Sequence, residues 1–239
     1  MPRADALVLF SGGQDSATCL FHALKRYDRV ATMGFDYGQR HTAELACRRN
    51  ILDMLPRCFP ELAAKLLPDT LLDVRPFGSL AANALTGGGA VRTGENGLPT
   101  TFVPGRNLLF CCCAAARAYA LDCGVIVAGV GQNDYSGYPD CREDTMLALE
   151  RALCLGLDRE IRIETPLMHM TKAQTWALAE EIGGAALVAF ILEYSHTCYL
   201  NDRSHRHAWG YGCGSCPACE LRAAGWRQYA AGRFLTDHP

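Results

Sequence analysis

The sequence predicts a doubly wound, mostly parallel α/β sheet followed by a small cysteine-rich module, and three observations lead there. Short, continuously apolar runs at residues 6–10 (ALVLF), 30–35 and 124–129 alternate with longer stretches of helical character. That is the pattern of βα units whose strands are covered on both faces. A Ser-Gly-Gly-Gln-Asp-Ser hexapeptide, residues 11–16, stands between the first strand and the first helix. Beyond Thr197 the composition turns to Cys, His, Gly and aromatic residues. The chain therefore divides into an α/β domain over residues 1–195 and a module with a C-terminal helix over residues 196–239.

The elements follow in order. Residues 6–10 read as a strand and residues 16–26 as a helix. A β-branched and aromatic run at 30–35 leads into Asp36-Tyr-Gly-Gln-Arg-His, and residues 42–54 are helical in pattern. Residues 66–74 hold a weaker third strand, because Pro68 cannot donate to a sheet ladder. Residues 86–104 are rich in Gly and polar side chains, a long loop of the kind that closes over a site. Pro104 and Gly105 open a strong helix over 107–121, and residues 124–129 form another buried strand. A polar loop at 131–142 precedes a helix to about residue 154. A short strand at 161–163 and a helix over 171–182, capped by Thr171, complete the pattern.

Composition excludes several classes. The chain has 239 residues, 49% hydrophobic and 20% charged, with a net charge of −2 and a mean hydropathy of +0.00. Binding to nucleic acid or an anionic membrane surface calls for a basic excess, which is missing. The longest run of apolar or Gly residues, 182–192, is eleven long, short of the ~20 a membrane span needs. The first residues carry no signal-peptide core, so a cytoplasmic location is expected. Thirteen cysteines then argue against a disulfide framework. Cys19, Cys47, Cys58, Cys111, Cys112, Cys113, Cys123 and Cys154 sit in apolar or helical contexts and read as small core residues. Cys141 belongs with neither these nor the C-terminal cluster.

In the hexapeptide, two glycines permit a tight turn with exposed N–H groups. The Ser11 and Ser16 hydroxyls and the positive end of the following helix complete a nest for an anion. A bare Gly-Gly would mean only a turn; the strand–loop–helix setting makes it a phosphate site. It is not a Walker A loop, since no Gly-Lys-Ser/Thr follows. Near the C-terminus, Cys213-Gly-Ser-Cys216-Pro-Ala-Cys219 spaces three thiols by threes, with Cys198 upstream. Four thiolates suit a closed, structural Zn²⁺ site. His196, His205 and His207 are substitute ligands, read first as surface histidines.

The hexapeptide resembles that of the PP-loop, or N-type ATP pyrophosphatase, family, whose fold is of the adenine nucleotide alpha hydrolase kind. The whole chain resembles one branch of it, the 7-cyano-7-deazaguanine synthases of queuosine-precursor biosynthesis. The stretches that carry the resemblance are FSGGQDSATCL (10–20), FDYGQRH (35–41), FVPGRN (102–107), SGYPDCR (136–142), ETPL (164–167) and TCY…CGSCPACELR (197–222), in family order. One departure is visible: many members read Gly-Val-Cys-Glu-Thr-Asp before SGYPDC, where this chain has Gly129-Val-Gly-Gln-Asn-Asp134.

The resemblance implies conversion of 7-carboxy-7-deazaguanine to the nitrile with ammonia and ATP, a C-terminal zinc site and a homodimer. It implies an ATP site over Phe10, Ser11, Gly12, Gly13, Gln14, Asp15, Ser16, Ala17, Thr18, Cys19 and Leu20, with Asp36 and Arg40 lining the pocket. Asp15 would hold Mg²⁺ or orient the loop. Arg106 and Arg142 are placed to clamp phosphate or the substrate carboxylate; Lys172 is a further candidate, read first as a solvated surface cation. Asp140 and Glu164 would face the deazaguanine or Mg²⁺, and Tyr138 would stack on the ring. Two rival expectations are a PP-loop tRNA-thiolating enzyme, which the charge disfavours, and a nucleotide-binding adaptor without turnover.

Overall fold

The computed structural model describes residues 4–39, 43–80, 84–86, 98–132 and 138–234. Five strands form one sheet: β1 (Ala6–Leu9), β2 (Val30–Asp36), β3 (Thr70–Asp73), β4 (Val125–Val127) and β5 (Arg162–Glu164), in the order β3-β2-β1-β4-β5. All neighbours are parallel, with Ala6 opposite Val30, Met33 opposite Thr70, Leu7 opposite Ile126 and Val125 opposite Arg162. The helices are α1 (Gln14–Arg26), α2 (Ala43–Cys58), α3 (Pro60–Ala63), α4 (Arg75–Gly78), α5 (Arg106–Ala120), α6 (Glu143–Leu157), α7 (Lys172–Tyr194) and α8 (Pro217–Ala230). A two-stranded antiparallel ribbon, β6 (Arg206–His207) and β7 (Gly210–Tyr211), lies between α7 and α8 in the chain.

The central strand explains its own sequence. Successive side chains of a strand point to opposite faces. Ala6 and Val8 pack with Phe21 and Leu24 of α1, Ile51 and Leu55 of α2, and Trp176, Leu187 and Ile191 of α7. Leu7 packs on the other face with Ala31, Met33 and Ala114, Ala115 and Ala118 of α5. Both faces of β1 are buried, so its sequence shows no polar alternation. The edge strand β3 starts only at Thr70, past Pro68, and alternates half-buried with exposed residues.

The strand order reverses between β1 and β4, and there the connections leave for opposite faces of the sheet. The gap they leave at the carboxyl ends of the strands is where ligands dock in such folds.

Two expectations need correction. Helix α7 does not stop at residue 182: Gly184 takes φ 65°, ψ −167° and breaks it, after which helix resumes to Tyr194. The Gly183-Gly184 pair reads as a stop, but Leu187 and Ile191 find the core, and their burial restarts the helix. By length and composition α7 is apolar enough to cross a membrane; it packs instead against α1 and α8. Its start is as expected, a capping box in which Thr171 Oγ1 accepts from Gln174 N and Gln174 Oε1 accepts from Thr171 N. Of the cysteines read as core, Cys58 and Cys112 are exposed instead, on outward positions of α2 and α5; the other six are buried or half-buried.

Candidate functional site

The phosphate loop is built by hydrogen bonds to its own last residue. Ser16 Oγ accepts from the N–H groups of Ser11 and Gly12, both at 3.2 Å, and donates to Gly13 O at 3.1 Å. Ser11 Oγ accepts from Gly13 N at 3.2 Å and lies 3.0 Å from Ser16 Oγ. Ser16 is thus a brace, and the first-turn N–H groups of α1, which no helix carbonyl can reach, remain to meet an anion.

Gly12 has φ 98°, and a Cβ there would lie 2.5 Å from Glu44 O and 2.6 Å from Arg48 N. Only glycine lets the start of α2 rest on the loop. Arg48, which no sequence signal marks, anchors the loop's entry. It is buried, its Nε donates to Phe10 O at 2.8 Å, and its guanidinium pairs with Asp69.

A cavity of about 300 Å³ opens at the reversal of strand order. At its loop end stand Ser11, Gly13, Gln14, Asp15 and Ser16, joined by Lys172, whose Nζ lies 2.5 Å from Asp15 Oδ2. Gln14 is buried there, and its Nε2 has no hydrogen-bond partner among the described residues.

The opposite wall is aromatic. Phe35 and Phe110 stack at 4.0 Å, and Arg106 sits with its guanidinium carbon 5.6 Å from the Tyr37 ring and 5.8 Å from the Tyr138 ring, within cation–π range. Its Nη1 reaches Tyr37 OH at 3.5 Å, while its Nε is buried without a hydrogen-bond partner among the described residues. Tyr138 is fixed in turn by Thr101, with the two hydroxyls 2.5 Å apart.

A third wall comes from the C-terminal module: Thr197, Tyr199, Leu221 and Arg222. Glu44 completes the lining. Burial pushes its carboxyl up to about 7, against the pull of the Ser11 hydroxyl and Arg106, with Asp15 adding to the rise.

The residues expected from the sequence therefore separate. Phe10, Ser11, Gly13, Gln14, Asp15, Ser16, Arg106, Tyr138 and Lys172 line the cavity. Ala17, Thr18, Cys19 and Leu20 are buried around the first turns of α1, behind the loop and off the cavity wall. Asp36 turns away from the cavity, accepting from Gly38 N at 3.0 Å beside Arg75. Asp140 is buried and accepts the Asn107 N–H at 3.0 Å, fixing the first turn of α5, so its effect on the site passes through Arg106 and Asn107.

Arg142 is exposed at the start of α6. Glu164 faces a separate shallow depression, bound to Tyr27 OH at 2.9 Å and to Arg162 at 2.7 Å. Neither lies on the cavity wall, because β5 is one strand farther from the reversal point and α6 starts on its outer rim. Cys141 does line it, with Asn107 Nδ2 donating to its sulfur at 3.1 Å. Arg40, Asn133, Asp134, Ser136 and most of the 86–104 loop lie outside the described residues.

In the module, the sulfurs of Cys198, Cys213, Cys216 and Cys219 all lie within 4.8 Å of one another. The Cys213–Cys219 and Cys216–Cys198 pairs are 3.8 and 4.0 Å apart. A tetrahedron of thiolates at the usual Zn–S length of ~2.3 Å has edges of about 3.8 Å, so the donors fit a single ion. Burial pushes the Cys213 thiol up, but the N–H groups of Ser215 and Cys216 outweigh it and hold it below its ordinary range. The histidines are not part of the cluster. His196 is fully buried rather than on the surface, His205 is exposed beside Asp202, and His207 Nε2 lies 2.9 Å from Gly212 O.

A braced phosphate loop at the reversal point of a parallel sheet, with a four-cysteine module closing the cavity, defines a PP-loop-type α/β protein. The chain belongs to the family described as "Queuosine biosynthesis protein QueC", whose model matches residues 5–230. Proteins named 7-cyano-7-deazaguanine synthase are similar along almost the whole chain. That of Parvibaculum lavamentivorans is 59% identical, covering 97% of this chain and 98% of its own. That of Polaromonas naphthalenivorans is 60% identical, covering 95% of each, and that of Burkholderia vietnamiensis 54%, covering 98% and 96%. The crystal structure of a 4-thiouridine synthetase–RNA complex with bound ATP is similar in fold, with a TM-score of 0.51 at 15% identity over 98% of this chain and 54% of that one.

Proposed function

We propose that this protein is an ATP-dependent 7-cyano-7-deazaguanine synthase, taking 7-carboxy-7-deazaguanine and ammonia to the nitrile. A carboxylate resists amination because attack must expel an oxide-like group. Transfer of AMP to it supplies a leaving group, ammonia then gives the amide, and a second activation of the amide oxygen permits loss of that oxygen to form the nitrile. The observation that carries the reading is that a phosphate loop and an arginine held between two tyrosine rings face one another across one cavity.

In this reading the loop and Lys172 hold the polyphosphate. Arg106 binds the acid's carboxylate, and the flat deazapurine stacks on Tyr138. Asp15 would help hold Mg²⁺, exchanging part of its contact with Lys172 for the cation. Zn²⁺ in the four-cysteine cluster would be structural, since a closed set of thiolates leaves no position for chemistry. Arg142 and Glu164 have no place at the reaction centre in this reading.

Leu108, Cys112 and Tyr119 on α5 and Leu147 and Leu155 on α6 are exposed on two helices packed side by side. In this reading a second copy of the chain covers this face and makes a homodimer. The free thiols fit a reducing compartment, the cytoplasm.

The test is direct. The purified, metal-replete protein, given the deazapurine acid, ammonium and MgATP, should yield the nitrile by mass spectrometry. No consumption of ATP sinks the reading; turnover on tRNA instead would make the protein a thiolating enzyme.

A further inference from the structure

We infer that Arg222, carried by α8 of the cysteine-rich module, is a binding residue for the phosphates at the loop, so that the module supplies half of the anion site. The inference rests on the ATP-cleaving reading above and extends it to a residue outside the α/β domain.

Arg222 is 1% exposed. Its Nε donates to Trp209 O at 2.8 Å, its Nη2 to Ser195 Oγ at 3.0 Å and toward Ile191 O at 3.5 Å, and its Nη1 reaches Thr197 Oγ1 at 3.5 Å. Every one of these acceptors is neutral. Among the described residues, no carboxylate lies within ion-pair distance of it. Hydrogen bonds to neutral groups orient a guanidinium, but they do not cancel its charge. A buried cation without an anion is costly to keep. Burial accordingly pulls its pKa down to about 10, with Asp15 and then Cys219 only partly offsetting this, which still leaves it charged at neutral pH.

Position says which anion. Arg222 and Thr197 line the same cavity as Ser11, Gly13 and Ser16. The segment that carries Thr197 runs beside the loop: His196 N donates to Gly12 O at 3.1 Å. The loop's own carboxylate, Asp15, is already engaged by Lys172. With Arg106, Lys172 and Arg222 against Asp15 and a largely protonatable Glu44, the cavity wall is net positive. A pyrophosphate group held by the loop would give Arg222 the partner that the protein does not.

The experiment titrates pyrophosphate and adenosine separately, by calorimetry, into metal-replete full-length wild type, Arg222→Gln and Arg222→Lys, with metal content measured for each. Arg222→Gln should weaken pyrophosphate at least tenfold while adenosine stays within twofold and metal content is unchanged; Arg222→Lys should recover part of the loss. Pyrophosphate affinity within twofold of wild type in Arg222→Gln, or equal loss of both ligands, overturns the inference.

Should Arg222→Gln not retain metal, the unmutated protein decides. Its buried guanidinium ¹⁵N signal, identified by its loss in Arg222→Lys, must shift on adding pyrophosphate, and an unmoved signal overturns the inference. A wild type that binds neither pyrophosphate nor ATP would fell the phosphate-loop reading itself.

Discussion

The loop and the cysteine module line one cavity, yet they hold their shape by different means. The loop needs six consecutive residues, a brace from Ser16 and a sheet behind it. Of its side-chain supports, Phe10 belongs to a large core and Arg48 is buried against it. Among the described residues the module buries few apolar groups besides its cysteines, Trp209 and Ala223 foremost, and its interior also holds the polar side chains of His196 and Arg222. A segment this small cannot pay its ordering entropy from apolar burial alone. The lesson is that one wall of the site is secured by packing, while the other gathers four thiols placed to share one metal ion.

The largest effect should therefore come from removing the metal. Chelation, or Cys216→Ser, should release the ion, and with it the near-ultraviolet circular dichroism from Trp209 and Trp226. Structural zinc sites are worth about 10–16 kcal/mol in isolated peptides. Pyrophosphate binding should disappear in parallel with metal content, while most far-ultraviolet signal from the sheet domain persists. Metal-free protein that binds pyrophosphate as well as the holoprotein would erase the contrast between the two walls.

A smaller effect, on chemistry alone, is expected at the aromatic wall. Arg106→Met should lower kcat/KM for the acid roughly 100-fold, the scale of losing one charge-stabilising donor. Pyrophosphate binding should stay within twofold, because the loop does not depend on Arg106. Equal losses in both measurements would mean that Arg106 belongs with the polyphosphate.

The smallest effect separates the loop from its neighbour on α2. Glu44, facing Ser11, Arg106 and Asp15, is raised from the usual 4.5 to about 7. It is mostly protonated at pH 6 and mostly ionised at pH 8. The native state binds this proton more tightly than the unfolded chain, so the stability it contributes is complete below pH 4.5 and is lost as pH rises through 7. For a bound anion, the neutral acid is a donor and the carboxylate is repulsive. The ratio of wild-type to Glu44→Gln affinity for pyrophosphate should therefore fall about tenfold between pH 6 and pH 8. A ratio that does not change with pH would remove Glu44 from the site.

Much of this was legible in the sequence, and what was not shares one cause. Strand β1, the loop, the Thr171 cap and the cysteine quartet are short-range patterns, each decided by residues close together in the chain. Lys172 meets Asp15 across 157 positions, and Arg222 reaches its cavity only because α8 packs along α7. No local spacing encodes either meeting. Glu164 shows the converse: ending a strand in a familiar motif does not say which strand lies at the reversal point. Asp140 was found by its motif, but its carboxylate orients a helix start instead of facing the cavity.

The break at Gly184 has a mechanical consequence. An unbroken 23-residue helix would be a rod of about 34 Å, so one degree of tilt at Lys172 would displace its far end by about 0.6 Å. That end runs straight into Ser195 and Cys198, where the sulfur tetrahedron tolerates little error. The joint splits the lever in two, so that Lys172 can settle on Asp15 and Ser195 on Arg222 without either seating dragging the other out of true.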